Sequence, residues 1–369
     1  MGIFNRTQTK AAISPPPKVT AAIGAPAGAQ VGDYYTYTQG QLFDRAISVP
    51  TIGRSLQLIA SVIGSMRLCM YNEIWNETER ESQRIKIAPR SWLNKINPNT
   101  TNNFMLSWTV SDIFMYGKAF WFISSRTQDG FPASFSRLPA AMITSTDQTQ
   151  NIWFSKANNL YFNGTQIDVN YVVKCVGGTV GLVYASQRTI ATSIKLEEAR
   201  YRNSSSAIPA GVLEVQAGSE SLSPVELADL AASFNQARMT NQTAALSPEV
   251  RYKETTTSPD KMLLIDSAEF QSMELSRATG VPAYLLNLSV GSYAYTNSIE
   301  ARQDLWTFGC KQIANCITQT LSMNQVTPQG TYIEFDIDDF IDGDVMKETE
   351  TTTETMTQPN YSNGVTSRS

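Results

Sequence analysis

Residues Thr51–Asn72 read TIGRSLQLIASVIGSMRLCMYN. The apolar side chains Ile52, Leu56, Ile59, Ile63 and Met66 follow steps of 4, 3, 4 and 3, which places them on one face of a helix. Ahead of them, Ser48 is a candidate cap, and Pro50 fits the first turn, where its missing N–H costs nothing. From Arg67 to Trp75 the pattern changes to that of a strand. A helix feeding directly into a strand predicts a chain of mixed helix and sheet.

The same reading extends along the chain. Asn97-Pro98-Asn99-Thr100 is a turn and cap signal for a second helix through Asn103–Tyr116, which Gly117 ends. A strand follows at Ala119–Ser124, with Asp129-Gly130 as a hairpin turn. Short strands are expected at Phe135–Ser145, Trp153–Phe154, Leu160–Phe162 and Tyr171–Val176. From Val183 to Ser205 the pattern is helical again. Gly211–Val215 and Val250–Glu254 read as strands. Between them Ser223-Pro224-Val225-Glu226 combines a Ser cap, a first-turn Pro and a Glu at the third position, opening a helix to Met239. Ser258-Pro259-Asp260 opens another, ending at Gly280 with Pro282 beyond it. Then comes an uncharged Gly/Ser/Tyr stretch, Leu288–Asn297. Asn297 and Glu300 form a cap pair for a helix with Ile299, Arg302, Trp306, Cys310, Ile313, Ile317 and Leu321 on one stripe. Thr331–Ile337 alternates as a strand.

Composition narrows the chemistry. The chain has 369 residues, 42% apolar and 17% charged. Both shares fall below globular averages of roughly 45–50% and 25%, yet they suffice for a core. At about 150 residues per domain, two or three units are expected. Residues 1–33, with Pro15, Pro16 and Pro17 and an Ala/Gly run, and residues 347–369, rich in Thr and Glu, read as disordered. Met1–Ala12 lacks the apolar core of a secretion signal, and Arg6 stands where a myristoylation signal needs Ser or Thr. Ile52–Met70 is interrupted by Arg54, Gln57 and Arg67 and does not read as a membrane span.

There is no histidine, which excludes Ser-His-Asp and Cys-His catalysis, HExxH zinc sites and histidine proton shuttles. The four cysteines, Cys69, Cys175, Cys310 and Cys316, have no CxxC spacing and read as reduced core thiols of a protein made in a cytosol. No phosphate-binding loop occurs; Gly177, Gly178 and Gly181 read as an ordinary loop. The net charge of −4 argues against electrostatic capture of nucleic acid, but not against touching DNA without gripping it. Arg188, Lys195 and Arg202, spaced by seven, share a helix face and can meet DNA. An ordinary solvated face with Glu198–Arg202 pairing is the plainer alternative. Tyr293 and Tyr295 can stack on bases, or serve as packing and interface groups. The acidic run Asp336, Asp338, Asp339, Asp342 and Asp344 invites a metal. Phe340 and Ile341 break the calcium-loop register and no terminal Glu follows, so a strand end leading to a solvated helix start is the better reading.

Several segments in order resemble phage portal proteins of the HK97-like family. They are TIGRSLQLIASVIGSMRLCMYN (51–72), SWLNKINPNTTNNFMLSWTVSDIFMYGKAFWFI (91–123), LEEARYRNSSSAIPAGVLEV (196–215), MLLIDSAEFQSMELSRATGVPAYLLN (262–287), YTNSIEARQDLWTFGC (295–310) and YIEFDIDDFIDGD (332–344). The resemblance spans Ser48–Asp344.

It implies an α+β portal-type subunit. Residues 34–182 would be a mixed α/β wing and 183–206 the first stem helix. Residues 207–257 would be a small α/β clip, and 258–282 the second stem helix. Residues 283–297 would be a tunnel loop, leading into wing and crown elements at 298–346. The short C-terminal tail implies a small crown. The implied function is a ring, usually of twelve subunits, at one vertex of the virion head, assembled in the host cytoplasm. It would be the conduit for DNA packaging and ejection. Implied partners are further copies of the chain, the major capsid protein, the terminase large subunit, head-completion or connector proteins, and double-stranded DNA without sequence preference. No membrane, cofactor or catalysis is implied. DNA-channel residues would be Arg188, Lys195, Arg202, Val290, Gly291, Ser292, Tyr293, Tyr295 and Thr296. Motor and connector docking would fall on Glu226, Asp229, Arg238, Arg251 and Lys253 of the clip. The competing readings are a metal-dependent phage nuclease or hydrolase using Asp336–Asp344, and another ring-forming head-tail adaptor.

Overall fold

The computed structural model describes residues 39–77, 80–145, 159–204, 211–215, 223–239, 250–254, 264–288, 298–337 and 340. The expected terminal arms, the strand Trp153–Phe154, the cap signals at Ser258–Asp260 and Asn297, and the loop residues 290–296 lie outside the described residues.

Helix α1 (Gln39–Ile47) leads into α2 (Pro50–Ser65). Pro50 stands in the first turn as expected, but the cap residue is Val49, with extended backbone and no capping side chain. Ser48 instead donates its hydroxyl to the Arg45 carbonyl at 2.8 Å. The preceding helix takes that hydroxyl for its own last turn, so the cap signal closes α1 rather than opening α2. Ile52, Leu56, Ile59, Ile63 and Met66 are all buried. Among the described residues no single helix is long and apolar enough to cross a membrane; α1 and α2 qualify only as a pair bent by 96°.

After the short α3 (Ser91–Asn94) comes α4 (Asn102–Tyr116), which packs against α2. The Thr101 hydroxyl caps it, accepting from the Phe104 N–H at 3.2 Å, and Gly117 ends it at φ 73°. The α2 and α4 backbones come close enough for Ser107 Oγ to donate to the Ala60 carbonyl at 3.2 Å.

Three small antiparallel sheets surround these helices. In the first, β1 (Leu68–Asn76) lies between β2 (Glu81–Ile87) and β11 (Thr331–Phe335). The second orders β4 (Pro132–Leu138), β3 (Lys118–Arg126) and β8 (Val172–Val176), with Gly130 turning the β3–β4 hairpin at φ 81°. The third joins β5 (Ile143–Ser145), β6 (Leu160–Phe162) and β7 (Thr165–Ile167). The expected strand Phe135–Ser145 is thus split. Pro139 has no N–H to continue the ladder, and Ala140–Met142 form a 3-10 turn before β5. The core between α4 and the second sheet is aromatic. Trp92 meets Phe135 edge-on, Trp121 lies against Phe135, and the Trp121 indole N–H donates to Thr109 Oγ1 at 2.8 Å.

The remaining elements are α5 (Leu182–Ala185), α6 (Gln187–Ser204), β9 (Gly211–Val215) paired antiparallel with β10 (Val250–Glu254), α7 (Pro224–Met239) and α8 (Leu264–Thr279). Then α9 (Ser298–Asp304) passes through a π-helical turn, Leu305–Cys310, into α10 (Lys311–Leu321). The architecture is α+β, as expected. The long C-terminal stripe departs from expectation at its start. Trp306, Cys310, Ile317 and Leu321 are buried, whereas Ile299 is 41% exposed. The wider π turn re-phases the helix, so residues before it leave the buried side. Two of the four expected core thiols, Cys175 and Cys310, are buried; Cys69 and Cys316 are half-buried, and all four are free.

Asp112 of α4 and Arg137 of β4 form a bidentate pair at 2.8 and 2.9 Å inside this core. Burial outweighs the Arg137 attraction and pushes the Asp112 carboxyl up from 3.8 to about 6. A carboxyl raised by folding stabilises most while protonated. That contribution is full below the unfolded value and is lost as pH rises through the folded one. Between about pH 3 and 7 the wild type should therefore lose about 3 kcal/mol relative to Asp112→Asn, read by urea unfolding of both proteins across that range. Identical pH slopes would refute the assignment.

A second expectation concerns two glycines. A Cβ on Gly181 would collide with the Met115 carbonyl and the Tyr116 backbone, in the last turn of α4. Gly181→Ala should cost more than ~2 kcal/mol in thermal unfolding. Gly53, inside α2 with only ordinary contact at its missing Cβ, should gain up to ~1 kcal/mol on Gly53→Ala.

Candidate functional site

Helices α6 and α8 form an antiparallel pair on one side of the α2 helix. The end of α8 at Arg277–Gly280 shares a cleft with Leu182 and Ala185, just ahead of α6. Further along α6, Ser193, Leu196, Glu197 and Arg200 enclose a cavity of about 140 Å³ with Ala268, Gln271, Ser272 and Leu275 of α8. The Gln271 side-chain oxygen is buried there without a hydrogen-bond partner. Ile190 is buried and Ile194 packs on the core, which fixes the inner face of α6. Arg188, Lys195 and Arg202 are exposed. Their seven-residue spacing returns to one side of the helix every two turns, the side turned away from the α8 contact. Arg202 is only loosely tied to Glu198, at 3.9 Å, with both side chains largely solvated. The structure thus brings these three basic residues together on one exposed face, which Glu198 shares.

The charges of the pair nearly cancel. α6 carries Arg188, Lys195, Arg200 and Arg202 against Glu197 and Glu198. α8 carries Asp266, Glu269 and Glu274 against Arg277, and Arg277 is paired with Glu274. Asp266 and Glu269 are exposed on α8, as is Phe270 at 59%.

The expected clip residues lie on α7 and on the β9–β10 hairpin. Arg251 sits opposite Glu214 and Lys253 opposite Val212, with both basic side chains exposed. Ser223 and Glu226 form the expected capping box. The Glu226 carboxylate accepts from the Ser223 N–H at 2.8 Å and its hydroxyl at 2.9 Å, and the Ser223 hydroxyl accepts from the Glu226 N–H at 3.4 Å. These bonds, the backbone one first, hold the Glu226 carboxyl below its usual range. Glu226 is thereby committed to its own helix, while Asp229 remains exposed. The Arg238 side chain lies outside the described residues. No described side chain of α7 is buried, and Val225 stands 69% and Leu227 41% exposed.

Of the acidic run, Asp336 is described and Asp338, Asp339, Asp342 and Asp344 are not. The Asp336 carboxylate accepts from the Cys69 thiol at 3.5 Å and lies 3.8 Å from the Lys86 ammonium. Burial and then Asp336 itself push the Cys69 thiol up. Among the described residues no cluster of three Asp, Glu, Cys or His could hold a metal. Tyr293, Tyr295 and the other expected loop residues lie outside the described residues. One feature escaped the sequence reading: a cleft of about 300 Å³ between Gly177–Val180, Arg277–Gly280 and the π turn, with Phe308 66% exposed and Gln312 beside it. An i, i+4 stripe reads as regular helix, so nothing in the residues signalled the π turn, although Phe308 already falls off that stripe.

A family model described as phage portal protein matches residues 50–366. No curated protein sequence matches the chain. Among solved structures, the chain is similar to an HK97-family phage portal protein from Corynebacterium diphtheriae, with TM-score 0.65 and 19% identity over 81% of this chain and 96% of that one. It is also similar to a chain in the neck of an empty gene transfer agent particle computed with C6 symmetry, with TM-score 0.55 and 14% identity over 81% and 84% of the two chains. A chain in the virion of a native gene transfer agent particle gives TM-score 0.54 and 15% identity over the same shares. At such identities the likeness is one of fold.

The metal reading of the acidic run has a direct check. Mg²⁺ or Ca²⁺ at millimolar concentration should leave the melting temperature of wild type and Asp336→Asn equally unmoved. A wild-type shift that Asp336→Asn abolishes would restore the nuclease alternative.

Proposed function

The chain belongs to the phage portal protein family, and on that premise we propose that copies of it close into a ring at one vertex of a phage head. The ring is the conduit for packaging and ejecting DNA, and its place is the virion. Its role is structural rather than enzymatic. The observation that carries the ring is the state of α7. Its sequence, PVELADLAASFNQARM, spreads apolar side chains around the helix, among Glu226, Asp229, Asn235, Gln236 and Arg238, instead of gathering them on one stripe. Val225 and Leu227 stand 69% and 41% exposed, and no described side chain of α7 is buried in one subunit, which marks an interaction surface. Neighbouring subunits supply the missing cover. A head-to-tail contact of this sort closes when its rotation divides a full circle.

The charge distribution suits a conduit. Each phosphate contact adds a salt-sensitive grip, and a channel must let DNA slide. A chain of net charge −4, with a helix pair whose charges nearly cancel, meets that need. In this reading the uncharged segment Val290–Thr296 is the part nearest the DNA. The exposed Asp229, Arg251 and Lys253 face the terminase motor and, after packaging, the connector proteins; the wing meets the capsid. These finer assignments rest on the resemblance of the segments in order.

Native mass spectrometry with negative-stain imaging tests the ring. A particle of about a dozen copies with a central hole is expected. A chain that stays monomeric even when co-expressed with its capsid protein would refute it. Deleting Val290–Thr296 should leave rings intact and reduce packaged DNA; loss of the ring itself would make that segment structural.

A further inference from the structure

We propose that the segment just ahead of α1, Asp33-Tyr34-Tyr35-Thr36-Tyr37-Thr38, docks within its own subunit on the outer face of the second sheet, with its tyrosines against Lys118 and Lys174. The proposal concerns a single subunit and goes beyond the ring reading without depending on it.

The seat is built by β3 and β8. Trp121 of β3 points to α4, where it bonds Thr109. By alternation Lys118, Phe120 and Phe122 lie on the opposite face. Strand register sets Val176 beside Lys118 and Lys174 beside Phe120. Two lysines thus stand diagonally on one face of the sheet, around an aromatic ring. Lys118 is only 4% exposed and Phe120 1%. Burial pushes the Lys118 ammonium down to about 8 and lowers Lys174 as well. Aromatic faces and hydroxyl oxygens suit a cation in such a place, because they stabilise it without burying a second charge.

The segment has the matching position and chemistry. The described chain starts at Gln39, which is buried, and the Gln39 carbonyl accepts from the Tyr116 hydroxyl at 3.1 Å. Tyr116 stands two residues before Lys118, so the chain enters the fold beside this end of β3. Six extended residues reach about 20 Å, against about 13 Å along the strand from Lys118 to Phe122. The segment offers three tyrosine rings and five hydroxyls. The Gln39 side-chain oxygen is buried without a hydrogen-bond partner, and those hydroxyls are the nearest donors along the chain. The other end of the chain is a poorer occupant. It leaves the described structure at Phe340, whose carbonyl accepts from Arg302 of α9 at 3.4 Å. Beyond that point Tyr361 is its single aromatic residue.

Lysine acetylation by an activated ester, mapped by peptide mass, reads the seat in the full-length protein. In Tyr34→Ala/Tyr35→Ala/Tyr37→Ala, with folding checked by circular dichroism, Lys118 and Lys174 should react at least about fivefold faster than in wild type. The exposed Lys86 and Lys195 should react as before. Replacing the same three tyrosines by Phe keeps the rings and should keep most of the protection. Removing residues 1–32 should change nothing, whereas removing 1–38 should match the Ala variant. Equal rates in wild type and the Ala variant would refute the proposal. So would release of the two lysines by removing residues 347–369 alone, which would give the seat to the C-terminal segment. Protection that fades on dilution would put the segment on another copy and overturn the single-subunit reading.

Discussion

The core of this subunit is arranged around one helix, α2. Ile52, Ile59 and Ile63 of α2 have no exposure at all, and burying such side chains contributes roughly 1.5–3 kcal/mol each. They do so because α2 is enclosed on several sides. α4 approaches until Ser107 bonds to the Ala60 carbonyl, α8 covers the start of α2, and the π turn lies against Ile59 through Gly309. The elements of the implied wing and stem thus share one core, and a movement of α8 or of the π turn is felt at α2 directly.

That shared core explains what is left outside it. α6 spends one side on α8 and leaves Arg188, Lys195 and Arg202 exposed on another. α7 and the β9–β10 hairpin reach the core hardly at all, though they carry Val225, Leu227 and Leu230. A soluble single subunit would expose this apolar surface at a cost. A ring covers it with copies of itself and needs no second kind of protein. The low share of charged residues and the abundance of Ser, Thr, Asn and Gln fit the same end, since neutral polar groups are cheaper to bring into a contact than charges are.

Much of this was legible in the residues because the signals were local. The step pattern of Ile52–Met66, the capping box at Ser223 and Glu226, and the strands Gly211–Val215 and Val250–Glu254 all appear where their residues place them. Three features were not legible. β2, ESQRIKI, alternates but carries few apolar residues, and it is a strand because β1 offers it an edge. Ser48 had two helices to serve and serves the earlier one. The π turn hides inside spacing that a regular helix would also satisfy, so neither it nor the cleft beside it could be foreseen.

The sequence by itself determined the periodic elements, their order, the absence of histidine chemistry and the family, because each depends on residues close together or on composition. Only the tertiary structure decided which side of α6 is exposed, that α6 packs on α8, and that no described side chain of α7 is buried. Those facts depend on how distant segments pack, and packing is settled by which of several possible faces finds the most apolar surface to bury.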